Sequence, residues 1–146
     1  MEIRWMMRRD MAEVLHIERE SFAYPWTEED FIRVLRQRNC IGMVIESDFD
    51  VIGYMVYELH KTRLVALNLA VHPDRRRQGV GSQLVDKLIS KLGSRRNSIE
   101  LEVADFNLDA QLFFASQGFV AMSVIRIRYD SGADSYLFEY RGRVAV

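Results

Sequence analysis

Apolar positions along this chain change period several times, and each change marks an element. Ile3 to Met7 reads as a short first strand. Met11, Val14 and Leu15, with the stretch Glu18 to Phe22, carry helical spacing, and Asp10 is the expected N-cap. After the turn Ala23-Tyr24-Pro25-Trp26, Thr27 stands before Glu28, Glu29 and Asp30, the pattern of a capped helix start with an acidic first turn. Phe31, Val34 and Leu35 supply the apolar face of that second helix. Residues 41–46 and 51–59 read as two strands of a hairpin around Ser47-Asp48-Phe49-Asp50. Leu64 to Val71 is a long apolar run and is expected as a central strand.

A longer helix follows from about Gln78 to Leu92, burying Val80, Leu84, Val85, Leu88, Ile89 and Leu92, with Gly93 as its expected end. Ser98 to Val103 alternates as a strand, and Asp109 to Gln117 is a short helix stopped by Gly118. Val120 to Tyr129 and Ser135 to Tyr140 form a last hairpin-like pair. The order β-α-α-β-β-β-α-β-α-β-β predicts an α/β (α+β) protein, a mixed sheet with helices packed against it, in a single domain over 1–146.

Composition narrows the classes without naming one. The 146 residues are 49% hydrophobic and 28% charged, ordinary for a globular chain able to bury a sizeable core. A net charge of −1 gives no global attraction to nucleic acid or to an anionic membrane, so any basic site must be local. The lone Cys40 excludes an internal disulfide and reads as a buried strand residue in a reducing cytosol. The N-terminus lacks the apolar run of a signal peptide and no segment has the length of a membrane span, so a cytoplasmic location is expected. His16, His60 and His72 show no metal-ligand spacing, and no metal is expected.

The candidate chemistry concentrates in Asn68 to Leu92. There an apolar strand runs through a Pro turn, Arg75, Arg76 and Arg77, and the glycines Gly79 and Gly81 into an amphipathic helix. Backbone N–H groups at a helix start lack internal partners and the helix dipole favours negative charge there, which is how proteins hold phosphates. Glycine lets the backbone approach an anion, and the arginines steer a polyanion. The alternative is a solvated basic turn before an ordinary helix. The pattern lacks the Lys-Ser/Thr of a P-loop and is too short for a dinucleotide fingerprint.

The stretch Arg76-Arg77-Gln78-Gly79-Val80-Gly81 is similar to the (Gln/Arg)-x-x-Gly-x-(Gly/Ala) motif of the GCN5-related N-acetyltransferases, and the element order resembles that family along essentially the whole chain. Ala23-Tyr24-Pro25-Trp26-Thr27 resembles the aromatic-Pro-Trp-Ser/Thr segment of its ribosomal-protein alanine (RimI-type) branch. Leu101-Glu102-Val103, then Asn107, then Gly118-Phe119 are similar to the same branch. The resemblance implies a single mixed, mostly antiparallel sheet of six to seven strands with about four helices, splayed at the two central strands. It implies acetyl-CoA as acetyl donor and CoA as product, with the backbone from Gln78 to Ser82 (Gln78, Gly79, Val80, Gly81, Ser82) on the pyrophosphate, flanked by Arg76 and Arg77. Leu69, Ala70 and Val71 would lie along the pantetheine arm, with the Val71 N–H facing the thioester oxygen to stabilise developing negative charge. Asn107 would contact the cofactor near that arm, although a helix-capping loop residue is an equal reading of its position.

Glu102 matches the family's general base, which takes the amine proton through water. Glu100 lies on the same strand face and reads as solvated. Twelve residues after Glu102 the related enzymes carry a tyrosine that can protonate the departing thiolate; here Phe114 stands in its place with no acidic proton, and the resemblance implies that it lies against the cofactor. A thiolate with pKa of about 8–9 leaves readily without help, and Tyr129 is a candidate substitute. Tyr24, Pro25, Trp26 and Tyr129, with Tyr136, are candidates to line an acceptor groove.

A primary amine is the expected acceptor, foremost a protein N-terminus. An α-amine with pKa about 7.7–8.0 offers far more neutral nucleophile at pH 7 than a lysine near 10.4. A lysine or small-amine acetyltransferase, or a catalytically weakened acyl-CoA-binding module, is the alternative. No nucleic-acid or membrane partner is expected, and the size and charge suit a monomer or weak dimer.

Overall fold

Seven strands pair into one sheet, and the hydrophobic periods account for nearly every one. The computed structural model describes residues 1–128 and 132–142. Strands β1 (Glu2–Trp5), β2 (Cys40–Ser47), β3 (Asp50–Leu59), β4 (Arg63–Val71), β5 (Ser98–Ala104), β6 (Val120–Ile125) and β7 (Ser135–Arg141) follow the order β1-β2-β3-β4-β5-β7-β6. The pairs β1/β2, β2/β3, β5/β7 and β6/β7 are antiparallel. Helices α1 (Met11–Ser21), α2 (Glu28–Leu35), α3 (Val80–Ile89) and α4 (Leu108–Ser116), with 3₁₀ turns at Arg8–Asp10 and Pro73–Arg75, complete the described elements. Their order is the one the periodicity predicts. No helix among the described residues is long and apolar enough to cross a membrane.

The chain groups into two compact units, Met1–Leu59 with Ala66–Lys87 and His60–Val65 with Leu88–Val146. In the first, Val14 and Ile17 of α1, Phe31 and Val34 of α2, Val44 of β2, Val51, Tyr54 and Val56 of β3 and Ala70 of β4 form one buried cluster. Cys40 opens β2 inside this core, and burial pushes its thiol pKa up, as befits an inert strand residue. The β2–β3 turn places Asp48 at φ 52° and Phe49 at φ 72°. Two successive left-handed residues are the turn geometry that matches strand twist. The expected cap of α2 is present and reciprocal. The Thr27 hydroxyl accepts from the Asp30 N–H at 3.2 Å, and the Asp30 carboxylate accepts from the Thr27 N–H at 2.9 Å.

Asp10 departs from its expected role. Its carboxylate does not cap α1; it accepts two bonds from the Arg4 guanidinium, each 2.8 Å, and one from the Met7 N–H at 2.7 Å. A bidentate guanidinium outcompetes a lone helix N–H for the same oxygens. Asp10 is only 3% exposed, and Arg4 also reaches Glu46 on β2 at 3.2 Å. The pair therefore fixes the chain entry to α1 against the β1–β2 edge. The hydrogen bonds from Arg4 hold the Asp10 carboxyl below the usual carboxylate range.

Gly53 on β3 sets how close α3 comes. A Cβ built there would meet Ile45 Cγ2 at 3.0 Å, the Ala70 carbonyl oxygen at 3.1 Å and Val80 Cγ1 at 3.3 Å. Only a residue without a side chain lets β2, the end of β4 and the first residue of α3 converge on that point.

In the second unit, β7 lies between β5 and β6 with Leu101 opposite Phe138 and Ala121 opposite the same residue. Gly118, at φ 93°, follows the end of α4 as expected. Gly93 does not end α3 in the expected way. The last helical residue is Ile89; Lys91 and Leu92 bond back to Leu88 and Ile89 in tighter turns, and the Gly93 N–H donates onward to Arg96. The predicted helix was thus extended past its last regular residue by apolar Leu92, which is half-buried without continuing the helical ladder.

Asp10→Ala is expected to cost about 2 kcal/mol at pH 7, as loss of a charged hydrogen-bonded partner does. Its folded pKa is depressed, so its contribution is present above the unfolded value of about 3.9 and is lost as pH falls through the folded one. Urea melts of both proteins should differ at pH 7 and converge toward pH 2. Gly53→Ala is expected to destabilise by about 1–3 kcal/mol through overpacking against backbone, measurable in the same melts.

Candidate functional site

The segment from β4 into α3 has two regimes. Ala70, Val80, Leu84 and Val85 are buried, while Arg76, Arg77, Gln78 and Gly79 between them are exposed. A rigid base thus carries an open loop. His72 begins it, its Nδ1 accepting from the Asp74 N–H at 3.1 Å as Pro73 starts the 3₁₀ turn. Arg77 at φ 64° and Gly79 at φ 78° are both left-handed, and the Gly79 carbonyl accepts the first α3 bond, from Gln83 at 3.1 Å. Alternating backbone handedness of this kind turns successive N–H groups toward one concave point, a geometry suited to anions. The Val80 and Gly81 N–H groups, in the first turn of α3, have no carbonyl behind them to accept within the helix.

Arg76 braces this loop through neutral partners, the Val71 carbonyl at 3.4 Å and the Ser21 hydroxyl at 3.3 Å. Among the described residues neither Arg76 nor Arg77 makes an ion pair, so their positive charge is not compensated locally. Open backbone, a helix start and uncompensated guanidinium groups fit a polyanion such as a pyrophosphate.

A polar knot lies in the core of the same unit. Glu18 on α1 is 1% exposed, yet carries a carboxylate that forms no ion pair among the described residues. Oε1 accepts from the Tyr54 hydroxyl and from Asn68 Nδ2 (2.5 Å), and Oε2 accepts from the Trp26 backbone N–H at 3.0 Å. Burial raises the Glu18 pKa, and these donors oppose the rise. Burial also pushes the Tyr54 hydroxyl far above its ordinary range, helped by the adjacent carboxylate, so Tyr54 remains a donor. Sequence reading missed this knot. Its signal was present: Glu18 sits four residues after Val14 and three after Leu15, a charge at a core position of the α1 face.

In the second unit Glu102 is the exposed residue of an otherwise largely buried β5. Its Oε2 accepts from Arg128 Nε at 2.9 Å and from the Ser135 hydroxyl at 3.2 Å. Oε1 takes no hydrogen bond among the described residues. Glu100, two residues earlier, pairs with Arg63 at 3.3 Å. The segment carrying Arg128 is anchored by Asp134, which accepts from the Ile127 N–H at 2.7 Å and donates its own N–H to Asp105 at 3.2 Å.

Asn107 caps α4: its Oδ1 accepts from the Ala110 N–H at 3.2 Å. Phe114 is buried, its ring edge-on to Phe113 (5.1 Å) and Phe119 (5.4 Å). Leu69 and Val71 are half-buried on β4, and Ser82 lies in the first turn of α3. Tyr24 and Pro25 are exposed, and Trp26 is half-buried with its ring 5.0 Å from Phe31. Tyr136 lies on β7, half-buried. Tyr129 lies outside the described residues. Among those residues no three His, Cys, Asp or Glu side chains gather as metal ligands do.

Comparison with known proteins gives this arrangement its family. The model of the acetyltransferase (GNAT) family matches residues 11–119. The chain is 28% identical over 121 residues to the ribosomal protein bS18-alanine N-acetyltransferase of Escherichia coli strain K12, covering 82% of this chain and 81% of that one. It superposes on the structure of Ard1 from Thermoplasma volcanium with TM-score 0.89 and 26% identity over 97% of each chain. The ribosomal-protein-S18-alanine N-acetyltransferase from Escherichia coli superposes with TM-score 0.86 and 25% identity, over 99% of this chain and 96% of that one. The chain belongs to the acetyltransferase (GNAT) family and is an acetyl-CoA-dependent N-acetyltransferase.

Proposed function

We propose that this enzyme, as a single domain over 1–146, acetylates the N-terminal α-amine of a protein, of the kind that begins with alanine. One observation carries the reading beyond the family: Glu102 is held by two donors on one oxygen, while its other oxygen takes no hydrogen bond among the described residues. That arrangement orients a base without consuming it. The likeness to the bS18-alanine N-acetyltransferase supports a protein N-terminus, as does the exposed Tyr24-Pro25 segment leading into the anchored Trp26.

Acetyl-CoA supplies an activated acyl carbon and a stable thiolate leaving group. The residues of this chain supply the rest. Backbone from Gln78 to Ser82, with Arg76 and Arg77, holds the pyrophosphate, and Leu69 to Val71 guides the arm, with the Val71 N–H toward the carbonyl oxygen. Asn107 serves the cofactor while capping α4. The amine nitrogen bonds to the acyl carbon, the C–S bond breaks, and the amine proton passes through water to Glu102. Phe114 has no acidic proton to give the thiolate, which takes one from Tyr129 or from solvent.

Glu102→Gln is expected to lower kcat about 10²- to 10⁴-fold at pH 7, with acetyl-CoA affinity by calorimetry unchanged. The deficit should shrink above pH 8, where the α-amine loses its proton unaided. Full activity at pH 7 removes Glu102 from the mechanism. A thiol-release assay over peptides beginning Ala, Ser or Met, with an N-blocked lysine peptide alongside, tests the acceptor. Turnover on the N-terminal peptides is expected, and turnover confined to lysine overturns the assignment.

A further inference from the structure

We propose that Glu18 is a positioning residue for the acceptor: its buried carboxylate sets the place of the Tyr24–Trp26 segment. The inference rests on the reading above that this segment receives the acceptor. Residues 22–27, between α1 and α2, form no helix or strand, so their backbone has no ladder to fix it. Trp26 is nevertheless held twice. Its N–H donates to Glu18 Oε2, and its ring packs edge-on to Phe31.

Those two holds close on each other. Phe31 packs edge-on to Tyr54 with ring centres 5.9 Å apart, and the Tyr54 hydroxyl donates to Glu18 Oε1. The circuit Glu18, Trp26, Phe31, Tyr54 thus joins helix α1, the connecting segment, helix α2 and strand β3. Asn68 ties the same carboxylate to β4, one residue before the Leu69–Val71 stretch proposed to guide the acyl arm. A small displacement of Trp26 relative to β4 is therefore opposed from both ends.

The choice of carboxylate is informative. An apolar residue at position 18 would complete the α1 face and avoid the cost of burying charge. It would offer no acceptor to the Trp26 N–H. A carboxylate accepts from several directions at once, so three donors from three segments converge on two oxygens. What it adds to an apolar core is a fixed point for irregular backbone, the support that a binding segment needs.

The test separates positioning from packing. Glu18→Leu keeps an apolar α1 face and removes the acceptor of the Trp26 N–H. Tyr54→Phe keeps the ring against Phe31 and removes a different donor from the same carboxylate. Glu18→Leu should raise the acceptor-peptide KM by about tenfold or more, with the acetyl-CoA KM within about twofold; Tyr54→Phe, which keeps the Trp26 hold and removes one support of the carboxylate, should raise the acceptor KM by clearly less and leave the acetyl-CoA KM within about twofold. An unchanged acceptor KM in Glu18→Leu, or an equal rise in Tyr54→Phe, overturns the inference. A wild-type protein that turns over no peptide overturns the acceptor reading first, and this inference with it. Should Glu18→Leu not fold, hydrogen exchange on the wild-type enzyme decides. The Trp26 amide should be protected about 100-fold or more over an unstructured peptide, and exchange at the unstructured rate overturns the inference.

Discussion

Val80 carries the constraint on which the proposed cofactor loop depends. A helix that offers its first turn to a ligand must leave that turn's backbone uncovered, yet an uncovered helix start frays. Here the first residue of α3 is fully packed beside Gly53, and Leu84 and Val85 continue the buried face one turn on. The loop from Arg76 to Gly79 stays exposed because the helix beneath it is fixed by side chains alone. Rigidity comes from below and access from above, with the missing Cβ of Gly53 setting the distance between them.

The sequence was readable wherever a period or a local rule decided the outcome. Strand β4, helix α3 and the Thr27 cap follow from patterns of a few residues, and the structure has all three. Reading failed where a distant residue competed. Asp10 has the chemistry of a cap, but Arg4 lies within reach and takes its oxygens first. Gly93 has the chemistry of a helix stop, but α3 has already lost its ladder three residues before Gly93. Glu18 showed as a charge on a core face, but its three partners could not be read because only the fold brings their parts of the chain together.

Two carboxylates of this chain differ in burial, and the difference suits the roles proposed for them. Glu102 stands on an exposed strand position with one oxygen unbonded among the described residues, whereas Glu18 has both oxygens occupied and is almost fully buried. A proton acceptor needs access; a structural acceptor needs its absence. Phe114 fits the same logic from the apolar side. Packed against Phe113 and Phe119, its site holds a ring well and would have to find a partner for any hydroxyl placed there.

The Arg128–Glu102 pair has a further consequence for the proposed acceptor. An amine arriving as a cation meets a carboxylate whose charge the chain's own guanidinium already balances at 2.9 Å. It gains little attraction and must shed water, whereas an uncharged amine sheds less and keeps its lone pair free. On the proposed mechanism the pair thus keeps Glu102 from holding the ammonium as a tight ion pair, leaving the amine free to give up its proton and attack.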